Sequence, residues 1–485
     1  MNANKHNLKQ QASNGAFWGL SGNLTVSAIS FVGTAILARI LSPKDFGLLG
    51  MATLITGIVQ LFGNLGLGAA LVYKKDVDDE YLSTAFWSSL LVSAGLVLVS
   101  IAVAPLAAIF FNEPTVKWII IVLSANFIIS SLSSVQRALL HKDVKIKRMV
   151  FIEIVSRFLR VIFMLVCALT GLGFWSIVIG IIAECILKTI LYVLTTQWIP
   201  TFQFHKMRFN ELFHYGKNIY GQEFLNYLNR SMDFIITGRV LGAKLLGFYQ
   251  FSYNLPYLVK SYIQDGISPV AFSIFSKVQD DNKRLAGGFL NAVKYVSIIT
   301  FPVMSGLAFC AEDFISVAYG SKWLPAAEPL KLLCFGSALA SVHCLVYSLF
   351  NAKGRPDIGL KWGLLILPTT IISVVLFSRW GIIGVAWAMF CMEVLTIAVA
   401  YIATKLLNTS FKSYFKALLP AIYGSLAIII ALYFITHKIL VIPNIYFRFA
   451  SNILLGAITY VVFLFIFYRK DLINTLDFIS LGMRK

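Results

Sequence analysis

The sequence predicts an all-α polytopic membrane protein of about fourteen transmembrane helices, in two six-helix bundles related by an internal repeat plus two C-terminal helices. Three observations carry that prediction. A chain of 485 residues that is 58% hydrophobic and 13% charged offers little polar surface to water. Apolar runs of ~20 residues, the length that crosses a bilayer, recur from end to end. Basic residues crowd into alternate connecting loops, as orientation by positive charge requires.

Taken in order, the spans fall at roughly 13–39, 46–72, 82–111, 115–137, 149–171, 174–197, 214–239, 244–272, 286–310, 328–352, 359–378, 381–404, 416–436 and 447–468. The first reads as a membrane span and not as a cleaved leader: it is too long, holds Asn23, and lacks a small-residue cleavage site. The loops are short, the longest at 198–213 and 311–327. Expected boundaries are 1–197 for the first bundle, 214–404 for the second and 405–485 for the two extra helices and tail. One set of loops carries Lys74, Lys75, Arg137, Lys142, Lys145, Lys147, Arg148, Lys277, Lys283, Arg284, Lys353 and Arg355. The opposite set holds Arg39, Lys44, Lys117, Arg239, Lys244, Lys322, Arg379, Lys438 and Arg448, so both termini are expected on the cytoplasmic side.

The net charge of +19 would suggest nucleic acid in a water-soluble chain. Here flanking residues that orient spans account for it, and no nucleic-acid partner is expected. Cys167, Cys185, Cys310, Cys334, Cys344 and Cys391 lie inside apolar runs without ligand spacing, which argues against a disulfide framework, a metal site or a cofactor. No Gly-rich phosphate loop, nucleophile elbow or extramembrane carboxylate pair is present, so no enzymatic activity is expected.

The stretch LARILSPKDFGLLGMATLITGIVQLFGNLGLGAALV, Leu37 to Val72, joins two spans through Ser42-Pro43-Lys44-Asp45, a tight connection, and is dense in glycine. It returns in weaker form as GRVLGAKLLGFYQ, Gly238 to Gln250: Arg39 matches Arg239, Lys44 matches Lys244, and Gly47 matches Gly247. A second echo pairs SVQRALLHKDVKIK from Ser134 with SLFNAKGRPDIGLK from Ser348. Two like-oriented bundles with a substrate site between them, working by alternating access, fit this duplication.

The run ARILSPKDFGLLGMA…GNLGLGAALV resembles the hallmark of the polysaccharide transport family, the Wzx-type flippases of lipid-linked oligosaccharides. That family belongs to the multidrug, oligosaccharidyl-lipid and polysaccharide exporter superfamily. The resemblance implies a polyprenyl-pyrophosphate-linked oligosaccharide as substrate. It would be moved from the cytoplasmic to the periplasmic leaflet of the bacterial inner membrane for exopolysaccharide, capsule or O-antigen synthesis. Membrane lipids, polysaccharide polymerase and export machinery are the implied partners. Two alternatives stand beside it: a multidrug or organic-cation antiporter of the same superfamily, and a membrane-embedded glycan polymerase or ligase. The first calls for an acidic lumen, the second for a large periplasmic loop.

Ionisable groups inside spans are costly and need a partner or a task. In span 7, Gln222, Glu223, Asn226, Asn229, Arg230 and Asp233 share an arc of roughly 140°. This strip is read either as an internal network, with Arg230 neutralising Glu223 and Asp233, or as a lumen surface on which Glu223 or Asp233 couples transport to protons or sodium. Span 1 aligns Gly19, Asn23, Ser27, Ser30 and Thr34; span 2 aligns Thr53, Thr56, Gln60 and Asn64. Span 8 aligns Tyr249, Tyr253, Pro256 and Lys260, an aromatic pair and a cation suited to a sugar and an anion. Arg230 and Lys260, with Arg39, Arg239 and Lys217, are the expected pyrophosphate contacts. Glu153 with Arg157 and Glu184 with Lys188 are expected ion pairs at i, i+4, which leaves Arg160 as a candidate cytoplasmic phosphate contact. Lys294 and Glu393 have no assigned role.

Overall fold

The structure is a computed structural model and describes residues 2–63, 71, 78–205, 220–436 and 443–469. Those residues form helices joined by short turns, and no strand occurs among them. The chain divides by internal contact into two compact units, Met1–Gly247 and Phe248–Lys485.

The first unit holds α1 (Asn2–Ile40), α2 (Pro43–Leu61), α3 (Asp79–Phe111), α4 (Thr115–Ser131), α5 (Ser134–Lys142), α6 (Ile146–Leu169), α7 (Trp175–Thr196) and the start of α8 (Tyr220–Tyr262). The second holds the rest of α8, then α9 (Ser268–Lys277), α10 (Asn282–Phe309), α11 (Ala311–Ala318), α12 (Ala327–Ala352), α13 (Pro356–Phe377), α14 (Gly381–Leu395), α15 (Ile397–Leu406), α16 (Phe411–Phe434) and α17 (Ile445–Phe467). Each span read from the sequence overlaps helix, with turns at Phe62–Gly63 inside 46–72 and at Leu132–Ser133 inside 115–137. Among the described residues, eight helices are long and apolar enough to cross a membrane, or nine if the 47° bend between α4 and α5 is one broken span. One of the eight is the 51-residue stretch Pro356–Leu406, which at 1.5 Å per residue is far longer than a bilayer is thick. Gly381, at φ 69°, breaks it into α13 and α14. The chain is thus an all-α, multi-pass membrane protein.

The expected tight connection at Ser42 is a full capping box. Ser42 Oγ accepts from the Asp45 amide at 3.3 Å, and Asp45 Oδ2 accepts from the Ser42 amide at 2.8 Å, with Pro43 in the first turn of α2. Two hundred residues on, Gly242 stands in the place of Ser42 and breaks α8 with φ 81° and ψ 176°, a backbone region open almost only to glycine. One chemistry starts a helix with side-chain oxygens; the other bends a continuous helix by losing its Cβ.

In the first unit, α4 packs against α2, α3 and α7, while α6 packs against α1 and α7. Its core includes Met51, Ala52, Ala104, Phe111, Ile119, Ile120, Val178, Ala243 and Leu246. In the second unit α12 is central, touching α9, α10, α14 and α15. Fully buried Trp323 anchors the second arm of α8, with Phe251 packed 3.9 Å from its ring and Ser252 Oγ donating to the Ala326 carbonyl at 2.7 Å. A bidentate ion pair from Arg448 to Asp313, with Nε to Oδ2 at 2.9 Å, ties the start of α17 to α11.

Candidate functional site

Intramembrane polar chemistry gathers in three places, and the first is a charge cluster between α6 and α7. The i, i+4 spacing brings Glu184 within 3.0 Å of Lys188, as expected. The same carboxylate also receives Arg160 at 2.9 Å and Arg157 at 3.3 Å, and Lys188 reaches across to Glu153 at 2.7 Å. Glu184 is 5% exposed, so three cations share one buried anion. Arg160, expected to be left without a carboxylate partner, is instead paired through Nη1 with Glu184 Oε2. The expected Glu153–Arg157 pair is replaced by Glu153–Lys188, because the facing helix offers shorter reaches than the neighbouring turn.

The second place is the first arm of α8. Asn226 and Arg230 are exposed, and Asn229 donates to the Leu225 carbonyl of its own helix at 3.0 Å. Asp233 is 1% exposed, and no ion pair joins it to Arg230 among the described residues. The strip thus separates into an exposed cation with amides and an acid turned inward. The side chains of Gln222 and Glu223 lie outside the described residues, as do Asn64 and Lys217. On α1 Asn23 is exposed, and Ser30 Oγ is satisfied by the Val26 carbonyl at 2.7 Å. On α2 Gln60 is exposed, while Thr53 and Thr56 donate to carbonyls one turn back. Arg39 and Arg239 are exposed, the latter lying 5.6 Å from the Phe110 ring centroid. A side chain absent from the expected set, Tyr227, binds this arm to α2: its hydroxyl donates to the Leu54 carbonyl at 2.8 Å, over Gly57.

Where α2 meets α8, the repeated motif touches its own copy. A Cβ on Gly47 would lie 1.7 Å from the Ala243 carbonyl oxygen, and one on Gly247 would lie 2.0 Å from that of Pro43. Residue 47 faces 243 just as 247 faces 43, so the contact is reciprocal and made of backbone. Glycine is required here by close approach.

The third place lies within the second unit. Lys260, on the second arm of α8, is 3.5 Å from Glu393 Oε1 on α14, and His343 Nδ1 on α12 is 3.4 Å from Glu393 Oε2. Glu393, which the sequence left without a role, is the acid between two bases. The Lys260 and Glu393 side chains are each 24% exposed and His343 5%. One turn before Lys260, the Tyr253 and Tyr257 rings stack at 5.5 Å. Tyr249, expected on the same accessible face, is fully buried instead, its ring 6.3 Å from that of Tyr253. Spacing alone fixed the angle around the helix and not which flank was covered.

Elsewhere in the second unit, α10, α16 and α17 flank a half-open apolar groove of about 540 Å³, lined by Ile298, Pro302, Gly306, Ile428, Gly456 and Tyr460 among others.

A family model described as "Polysaccharide biosynthesis protein" matches residues 36–328 of the chain. The lipopolysaccharide biosynthesis protein WzxC of Escherichia coli (strain K12) is 26% identical over 438 residues, 88% of each chain. The teichuronic acid biosynthesis protein TuaB of Bacillus subtilis (strain 168) is 26% identical, covering 87% of this chain and 89% of its own. The succinoglycan biosynthesis transport protein ExoT of Rhizobium meliloti (strain 1021) is 21% identical over 95% of this chain and 94% of its own. Among solved structures, the lipid II flippase MurJ in an inward closed conformation superposes with a TM-score of 0.76 at 17% identity, covering 94% of this chain and 99% of its own. An inward-facing multidrug resistance MATE family transporter superposes with a TM-score of 0.63 at 14% identity, covering 79% and 96%. These two likenesses establish a shared fold.

Proposed function

The chain is a member of the polysaccharide biosynthesis protein family, and from that premise we propose that it translocates a polyprenyl-pyrophosphate-linked oligosaccharide from the cytoplasmic to the periplasmic leaflet of a bacterial inner membrane. Both termini are then cytoplasmic, and the protein acts by alternating access without an enzymatic step. The likeness to WzxC, TuaB and ExoT, whose names place them in polysaccharide synthesis or transport, supports the substrate class.

The observation that carries the reading is Lys260, a partly exposed cation held in a membrane helix one turn after the stacked Tyr253–Tyr257 pair. A fixed positive charge suits pyrophosphate, and flat aromatic faces suit sugar rings. Arg230, exposed beside Asn226 and Asn229, supplies a second cation with amide groups for a saccharide. The apolar groove between α10, α16 and α17 suits a stretch of the carrier's hydrocarbon tail. Asp233, buried on the same helix as Arg230, is the proposed ion-coupling acid, together with Glu223.

Depleting the protein should leave complete lipid-linked repeat units on the cytoplasmic leaflet, as read by accessibility to an impermeant glycosidase. Accumulation on the periplasmic leaflet would assign the block to a polymerase or ligase and sink the reading. Arg230→Ala and Lys260→Ala should each lower polymer export by more than tenfold while leaving folded protein in the membrane. Export at wild-type level in both variants would remove these residues from the site. Asp233→Asn should abolish any dependence of transport on an imposed ion gradient; a dependence that survives the change would place coupling elsewhere.

A further inference from the structure

The Lys260–Glu393–His343 group has a geometry unlike that of the other intramembrane ion pairs. In the α6–α7 cluster, contacts run from 2.7 to 3.3 Å, and three cations share the one carboxylate of Glu184. Here one carboxylate faces two bases with one oxygen each, at 3.4 and 3.5 Å, both longer than a charge-assisted hydrogen bond. Lys260 and Glu393 are partly exposed while His343 is closed off behind them. The pair is loose on its open side and backed by a titratable ring on its closed side.

The helix that carries Lys260 is also irregular on both sides of it. Pro256, one turn earlier, removes an amide donor from the ladder, and Ile263–Ile267 forms a π-helical turn just after. Such interruptions let a helix segment shift without breaking its neighbours. Glu393, by contrast, sits against the close-packed α12, where a Cβ on Gly336 would lie 3.7 Å from its Cγ. The lysine thus stands on an interrupted helix, and the glutamate packs against the unbroken α12.

We propose that these three residues form a charge-compensated anion site, in which a phosphate-type anion replaces the Glu393 carboxylate at Lys260 and is bound together with one proton. The idea rests on the flippase reading above for its substrate class, and adds how the site keeps its charge balanced. Before binding, Lys260 and Glu393 neutralise each other, with His343 beside the carboxylate. When the anion takes Lys260, an unprotonated Glu393 would be left as a second anion in a poorly hydrated place, which is costly. One proton, held by Glu393 or by His343 next to it, removes that cost. Among the described residues, Tyr347 lies within electrostatic reach of Glu393 and Lys260, with Cys344 beside it on α12. Neither is acidic or basic enough to take the proton's place near neutral pH. By linkage, uptake of one proton makes anion affinity fall up to tenfold per pH unit over the range in which that proton is taken up.

The test uses the full-length protein in nanodiscs and inorganic pyrophosphate as probe, titrated calorimetrically in two buffers of different ionisation enthalpy. Wild type should take up about one proton more per pyrophosphate bound than Glu393→Gln, whose affinity should no longer fall with pH. Lys260→Ala should weaken binding at least tenfold, and Lys260→Arg should restore it. The double variant Lys260→Ala with Glu393→Gln removes both charges, and so reports binding without an orphaned carboxylate. Equal proton counts in wild type and Glu393→Gln, or binding indifferent to residue 260, would overturn the proposal. Nanodiscs of phosphatidylglycerol against phosphatidylcholine identify the source of the phosphate group. Competition by phosphatidylglycerol supports the site with a lipid headgroup as ligand, and its absence supports it with a pyrophosphate. A proton-linked site in a protein that fails the leaflet assay would sink the flippase reading alone. A passed leaflet assay without proton linkage would sink this inference alone.

Discussion

Gly47→Ala and Gly247→Ala should each lower polymer export by roughly five- to hundredfold, because a methyl group fits only if the two helices move apart. The added Cβ would meet a backbone carbonyl at 1.7 or 2.0 Å, where real Cβ contacts stay above 3.0 Å. A side chain could rotate away; a carbonyl held in a helix cannot. The helices must separate, at a cost of about 1–3 kcal/mol for overpacking, or roughly a five- to hundredfold loss of the crossed arrangement. Because both changes push the same two backbones apart, the double variant should be scarcely worse than either single one. Gly95→Ala is the matched control: nothing lies within 4 Å of its Cβ, and export should be unchanged. Additive losses in the double variant, or normal export in the singles, would show that the crossing is not tight in the working protein.

Glu184→Ala should have the largest effect on stability. It removes the one buried carboxylate that Arg157, Arg160 and Lys188 share, leaving three cations with Glu153 as their remaining acid. Breaking a buried ion pair from one side costs about 3–5 kcal/mol, since the partner charges stay behind without compensation. Thermal unfolding in detergent and the yield of monodisperse protein are the readouts, and both should fall sharply. Adding Arg160→Gln to Glu184→Gln should recover part of the loss, because the second change removes an orphaned charge. An unchanged melting temperature in Glu184→Ala would mean that water, not Glu184, neutralises the cluster.

The helical architecture was legible in the sequence because its signals are local. Twenty apolar residues require a span wherever they occur, and Ser42-Pro43-Lys44-Asp45 carries a capping box within four residues. The sequence also ends one span at 239 and starts the next at 244, and Gly242 breaks α8 between them. The polar clusters were less legible because their partners are distant in the chain. Arg160 finds Glu184 across 24 residues, and His343 finds Glu393 across 50. Periodicity placed Lys260 and Tyr253 on one face. It could not show that Tyr249, a turn away, is fully buried, because that depends on which neighbour packs there. His343 carried no signal at all, being a single histidine in an apolar helix. Glu393 did carry one, as a lone acid that had to be neutralised by something.

The reciprocal touch of Gly47 on Ala243 and of Gly247 on Pro43 says something about origin as well as packing. A contact in which residue i of one copy meets j of the other, while j meets i, is the signature of a two-fold isologous interface. Such interfaces arise when two identical subunits dimerise, and they persist when the gene encoding the subunit is duplicated and fused. At this crossing neither glycine can change alone, because each fits only against the other segment's backbone.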